Sequence, residues 1–429
     1  MKNFKNLNIN IDSVRDKYAF FFLCVYAFVT PLGTLFRFSA KETSLGISSI
    51  ILAAIVLVYF LKSVQRLFKS KIFGLLLLLV LWLFFSSLYA ENVLSAYIHL
   101  CDLAIYILFA ASITKIDLTQ ERVQQFFLWL SAGIFLSVFL TLIDFFGIID
   151  IPYVNELKIV TKVNGESVYQ ASGLFLRRSA MAAYFAIVLP AFFVMFINLK
   201  NLILKSLLMI IFFMSLLVLM FTHNAAGVIA ITLSLVFYLF FGYRANFLSK
   251  IKKILVVGFL LSIFAFVVAI RFPEITEVYL FRISAHYPIQ EIQKNDLLIR
   301  QTRSDNERIY FFKFALNSIK KDPFGHGLSR LTTDDYGVMD PHNMVTQIIW
   351  ATGIFGFIWI GLFAYALRGI LRLQNDVANS LSVYFNAIKY GLLSWMICGM
   401  AHNIIFTGLA WLFFGMLVNM RFRLCNQTQ

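Results

Sequence analysis

Charge is what this sequence has least of. Only 14% of its 429 residues are charged while 60% are hydrophobic, whereas a soluble domain runs at about 25% charged and 45–50% apolar. A soluble fold of this size has too little interior to hide so much apolar surface. That excludes a water-soluble enzyme and a disordered chain. Cysteine is equally sparse: Cys24, Cys101, Cys398 and Cys425 are scattered without a CxxC or CxH pattern, which excludes a disulfide-stapled domain and leaves no thiolate metal knot. The sequence also has no Walker loop, no GxGxxG fingerprint and no Gly-x-Ser-x-Gly elbow, so nucleotide hydrolysis and serine-esterase chemistry have no footing.

What the chain does have is long apolar runs. Twelve stretches reach the length needed to cross about 30 Å of hydrocarbon, near 18–37, 46–61, 72–90, 94–113, 124–148, 179–198, 203–222, 224–242, 251–271, 344–368, 381–400 and 403–420. They are continuous rather than alternating, so the expected fold class is an all-α integral membrane protein and not a β-barrel. An even number of spans puts both termini on one side. With that side cytoplasmic, the inner segments hold 20 Lys and Arg, among them Lys62, Arg66, Lys69, Lys71, Arg244, Lys250, Lys252 and Lys253. The short outer connections hold little beyond Arg37 and Lys41. This is the bias of inner loops toward positive charge, and it explains the net +15 without a nucleic-acid partner.

The chain divides into spans 1–9 over residues 1–271, a large outer loop over 272–343, and spans 10–12 with a tail over 344–429. A second, shorter outer segment covers 149–178. The large loop carries ten acids against nine bases, and loops this long are usually functional. Within it Ile309, Phe312, Leu316 and Ile319 recur at helical spacing, predicting an amphipathic helix near 306–321 that Asp322-Pro323 stops.

Candidate chemistry gathers at the outer boundary. His223, His342 and His402 each lie there and each precedes an asparagine, Asn224, Asn343 and Asn403. His342 follows Asp340-Pro341, opens an apolar helix, and is followed by Gly353 and Gly356, which favour close helix packing. A neutral imidazole there suits removal of a proton from a hydroxyl. Arg177, Arg178 and Arg308 are the fixed cations on the same side, and guanidinium forks match phosphate oxygens. No histidines show HxxxH or HExxH spacing, so neither a metal nor any other cofactor is expected.

The run from Arg308 through a helix into Pro323-Phe324-Gly325-His326-Gly327, followed by His342-Asn343, a helix and Gly353-x-x-Gly356, resembles two motif blocks of the O-antigen ligase and polymerase superfamily. The resemblance implies a GT-C-like fold in a Gram-negative inner membrane, with the large loop on the periplasmic face. It implies a metal-independent glycosyltransferase that takes a glycan from undecaprenyl diphosphate. The acceptor would be a sugar hydroxyl of lipid A-core, in lipopolysaccharide assembly. It makes His342 the base and Arg308 a diphosphate contact; Asn343, His223 and His402 are candidates for a supporting role from their boundary position alone. One departure stands out. The family usually carries an arginine in a Ser/Thr-x-Ser/Thr-Arg run between spans seven and eight, whereas Thr222-His223-Asn224-Ala225 has alanine there. Either Arg177 or Arg178 replaces that arginine, or the donor is held differently. A diphosphate leaving group needs fixed positive charge as it departs, and backside attack inverts the anomeric carbon. The compact His-Asn block favours a ligase. A polymerase acting on lipid-linked repeat units is the alternative within the family. A transporter of lipid-linked glycans is the alternative outside it, although no internal symmetry supports one.

Overall fold

The computed structural model describes residues 11–36, 47–151, 154, 159–163, 166–175, 178–243, 247–273, 296–333, 337–339, 343–372, 381–402 and 404–426. It is a bundle of helices with two small hairpins. In order these are α1 (Ile11–Val29), α2 (Ile47–Lys69), α3 (Lys71–Ser86), α4 (Val93–Ile113), α5 (Gln120–Phe145), β1 (Ile159–Val163), β2 (Glu166–Gln170), α6 (Arg178–Asn198), α7 (Leu202–Phe221), α8 (Ala225–Phe237), α9 (Phe247–Arg271), α10 (Asp296–Lys321), β3 (Leu331–Thr333), β4 (Gly337–Met339), α11 (Met344–Thr352), α12 (Gly356–Arg372), α13 (Leu381–Gly399) and α14 (Gly408–Asn426). Both hairpins, β1–β2 and β3–β4, are antiparallel.

Among the described residues nine helical segments are long and apolar enough to cross a bilayer, and the protein is an integral membrane protein. Helices α1, α13 and α14 occupy the other three places where a span is expected. The tenth expected span, 344–368, is broken: α11 ends at Thr352, Gly353 turns with φ 61° and ψ −136°, and α12 begins at Gly356.

Helix α6 is the centre of the bundle, and its apolar side chains from Met181 to Met195 are buried. It packs most extensively on α13. Gly391 makes that approach close, because a Cβ there would stand 2.5 Å from the Ile187 carbonyl oxygen. Between membrane helices such small-residue contacts replace the hydrophobic drive that lipid removes. By contrast α9 is almost wholly uncovered. Leu255, Phe259, Phe266 and Ile270 are all exposed on it, as suits a helix facing acyl chains.

One end of the bundle is tied by charge. Asp16 of α1 accepts from the Tyr59 hydroxyl of α2 (3.2 Å), from the backbone N–H of Asp117 (2.8 Å), and from the Arg122 guanidinium of α5. The other end carries both hairpins, α10 and the turns 222–224 and 400–407. It is called the hairpin end below.

Candidate active site at the hairpin end

The two motif blocks dock on one another. Helix α10 runs Asp296–Lys321, ten residues longer at its start than the stretch 306–321 expected from apolar spacing. Its Phe311 and Ala315 are buried against Ile349 and Trp350 of α11. Beyond Pro323 the chain turns back across the end of α11. There the His326 N–H donates to the Trp350 carbonyl (3.0 Å), Gly327 N–H to Ala351 (3.0 Å) and Ile354 N–H to Pro323 (3.0 Å). The glycines make this joint possible. A Cβ on Gly353 would lie 2.1 Å from the Pro323 oxygen, and one on Gly325 would lie 2.5 Å from the Gly353 nitrogen. Both residues have positive φ, 84° at Gly325 and 61° at Gly353, where side chains are strained. Gly353 was expected to serve helix packing; instead it ends α11 and admits the Pro323 backbone.

His326 fills the joint. Its ring stacks on Trp350 with centroids 3.9 Å apart, and Nδ1 donates to the Tyr89 carbonyl (3.2 Å). The Asp322 carboxylate stands 3.6 Å from Nε2. Trp82 of α3 closes the far side by donating to the Thr352 carbonyl (3.2 Å).

Two asparagines of the His-Asn pairs, Asn224 and Asn343, are helix N-caps, and Asn403 lies outside the described residues. Asn224 Oδ1 accepts from Gly227 N–H (3.1 Å) at the start of α8, and Asn343 Oδ1 accepts from Thr346 N–H (2.7 Å) at the start of α11. Each bond satisfies a backbone donor that a helix start leaves open. His223 is buried, with φ 52°, the one positive φ outside glycine among the described residues. His402 lies on the turn after α13, and its Nε2 is 3.1 Å from Asn224 Oδ1.

His342 and Arg177 lie outside the described residues. Asn343, the residue after His342 in sequence, caps the start of α11. Arg178 is the first residue of α6. Four residues on, Ala182 packs against Gly227 of α8, a Cβ on the glycine standing 3.2 Å from that of Ala182. Arg308 is a backbone position in α10, three residues before the buried Phe311. Strand β1 also lies against α10. The hairpin end thus gathers the starts of α6, α8 and α11, helix α10 and the turn holding His402.

The sequence reading missed two things here. It treated His223 and His402 as equivalent to one another, whereas His402 bonds to Asn224 across the bundle. It gave His326 no role, although a histidine flanked by Gly325 and Gly327 was a signal of a tightly fitted turn. A third polar group lies elsewhere: Lys389 is buried within α13, its Nζ 5.3 Å from the Tyr390 ring centroid. A lone lysine in an apolar span was itself a signal. Among the described residues no three His, Cys, Asp or Glu side chains gather closely enough to share an ion.

Fold and site together define a multi-span membrane protein with its polar machinery assembled at one end. Residues 210–361, which hold α8 to α11 and both motif blocks, match the family model described as O-antigen ligase. The match supports the resemblance to the O-antigen ligase superfamily, whose members are membrane glycosyltransferase-like enzymes. No curated protein matches the chain.

Proposed function

We propose that the protein is an O-antigen ligase of the bacterial inner membrane. It moves a glycan from undecaprenyl diphosphate to a sugar hydroxyl of lipid A-core. In this reading the twelve expected spans form a GT-C-like fold with both termini in the cytoplasm and the hairpin end in the periplasm. The observation that carries it is the joint between the two motif blocks. Three backbone hydrogen bonds and three positive-φ glycines, Gly325, Gly327 and Gly353, fasten the end of the Arg308 helix to the helix that begins at Met344, just after His342 in sequence.

The chemistry follows from the residue types. A core-sugar hydroxyl oxygen attacks the anomeric carbon of the donor from the side opposite the diphosphate. The new C–O bond forms as the anomeric C–O bond to the diphosphate breaks, and its electron pair leaves with the phosphate. An imidazole nitrogen of His342 takes the hydroxyl proton, a role worth roughly 10²–10⁴-fold. Arg308 and Arg178, with Arg177 beside it, hold the diphosphate as its charge grows, and such fixed charges need no reorganisation during the reaction. Asn343 holds the base by capping α11. The lipid carrier enters between helices from the bilayer.

The test is direct. Purified protein is mixed with undecaprenyl-diphosphate glycan and rough lipopolysaccharide, and the lipid A-core band is examined on a gel. A ladder above that band is expected. Glycan that lengthens on the lipid carrier alone, with lipid A-core untouched, would overturn the ligase in favour of a polymerase.

A further inference from the structure

We infer that His402 is a positioning residue of this site: as the Nε2–H tautomer it latches the α13–α14 turn to the start of α8, and through that turn it sets the register of the helix opened by His342. The inference rests on the ligase reading for its kinetic part only.

The tautomer follows from hydrogen-bond bookkeeping. Asn224 Oδ1 already accepts the Gly227 N–H at 3.1 Å, so the oxygen's assignment is fixed by the cap. An amide oxygen only accepts. The His402 Nε2 at 3.1 Å must therefore carry the proton and donate. The bond joins residues 178 apart in sequence, so nothing local demands it.

The latch leads to α11 in two steps. His402 is held to the end of α13, because its own N–H donates to the Cys398 carbonyl at 3.1 Å. Between them is Gly399, where a Cβ would stand 2.4 Å from Met344 Sδ. Met344 is the first residue of α11 and is buried. It lies two residues after His342. A shift of the 400–407 turn therefore presses on, or opens a gap beside, the side chain that seats the start of α11. Asn224 in turn sits on α8, which packs against α6 close to its first turn. One hydrogen bond thus couples the helix start that follows His342 to the helix start at Arg178.

The experiment exploits side-chain reach. A glutamine amide nitrogen falls near the place of Nε2, whereas an asparagine amide falls near that of Nδ1. His402→Ala, His402→Gln and His402→Asn are compared with wild type for kcat and for KM of the lipid-linked donor. Misplacement of a reacting group by about 1 Å can cost on the order of 100-fold, so a fall in kcat of roughly 10–100-fold is expected for Ala and Asn, with little change in KM. Gln should recover most of it and keep the wild-type pH profile. Ala and Gln equally inactive would overturn the inference, since the imidazole itself would then be required; an Ala variant as active as wild type would overturn it too.

A second readout needs no catalysis. Met400 is 68% exposed on the same turn. Met400→Cys, made in a Cys101→Ser background, should react faster with a soluble thiol reagent in the Ala and Asn variants than in the parent and the Gln variant. That pattern in a protein that transfers no glycan would refute the ligase reading and leave the latch standing. Transfer with identical labelling in all four proteins would refute the latch alone.

Discussion

Replacing Gly353 by alanine is the sharpest test of the joint between the two motif blocks. The new Cβ would lie 2.1 Å from the Pro323 oxygen and 2.6 Å from the Gly325 nitrogen. Neither is the end of a flexible side chain, so backbone must move. The conformation itself, φ 61° and ψ −136°, costs a non-glycine residue about 1–3 kcal/mol. If the joint opens to relieve the clash, the bonds from His326, Gly327 and Ile354 are lost at about 0.5–1.5 kcal/mol each. Wild type loses the same bonds when it opens, so the shift comes from the strained closed state, about 1–3 kcal/mol, enough to raise the open population by roughly 5–150-fold. Hydrogen exchange read on peptides covering 322–330 and 353–356 of the protein in lipid nanodiscs reports that opening. Gly361→Ala is the matched control: its Cβ meets nothing within 4 Å, and alanine is the better helix former by about 1 kcal/mol. Gly353→Ala should speed exchange at these amides and depress transfer, while Gly361→Ala leaves both near wild type. Unchanged exchange in Gly353→Ala would refute the reasoning.

Three other outcomes are expected. A cysteine placed in the loop 272–343 should react with an impermeant thiol reagent added to intact spheroplasts; absence of labelling, with the protein present in the membrane, would reverse the orientation. Transfer should survive excess chelator, and loss restored only by a divalent ion would replace the proposed mechanism with a metal-dependent one. Arg308→Ala should weaken donor binding and slow transfer, and Arg308→Lys should recover part of either loss, because lysine keeps the charge without the planar fork; full activity in Arg308→Ala would remove it from the donor site.

The helices were legible because a membrane demands continuous apolar length, and runs such as 203–222 fall almost residue for residue on α7 (Leu202–Phe221). The break at Gly353 was not legible. Its apolar neighbours Ile354 and Phe355 continue the run, and only contact with Pro323, thirty residues away in sequence, requires the turn. Helix α10 begins earlier than its apolar stripe because Arg300–Asn306 is polar and separates Leu297, Leu298 and Ile299 from the stripe, so periodicity does not carry back across it. The N-caps could have been read in advance: Asn224 and Asn343 each stand directly before an apolar helical stretch, the usual place for a cap. The His402–Asn224 bond could not, since it depends on how α13 and α8 pack.

The central claim is that His342 removes the acceptor proton at a site where the donor is held by other groups. It is tested by measuring donor binding and glycan transfer to lipid A-core side by side, in wild type and His342→Ala at equal membrane levels. Transfer should fall by roughly 10²–10⁴-fold while donor affinity stays near wild type. Transfer at the wild-type rate, or donor binding lost in proportion to transfer, would contradict the account.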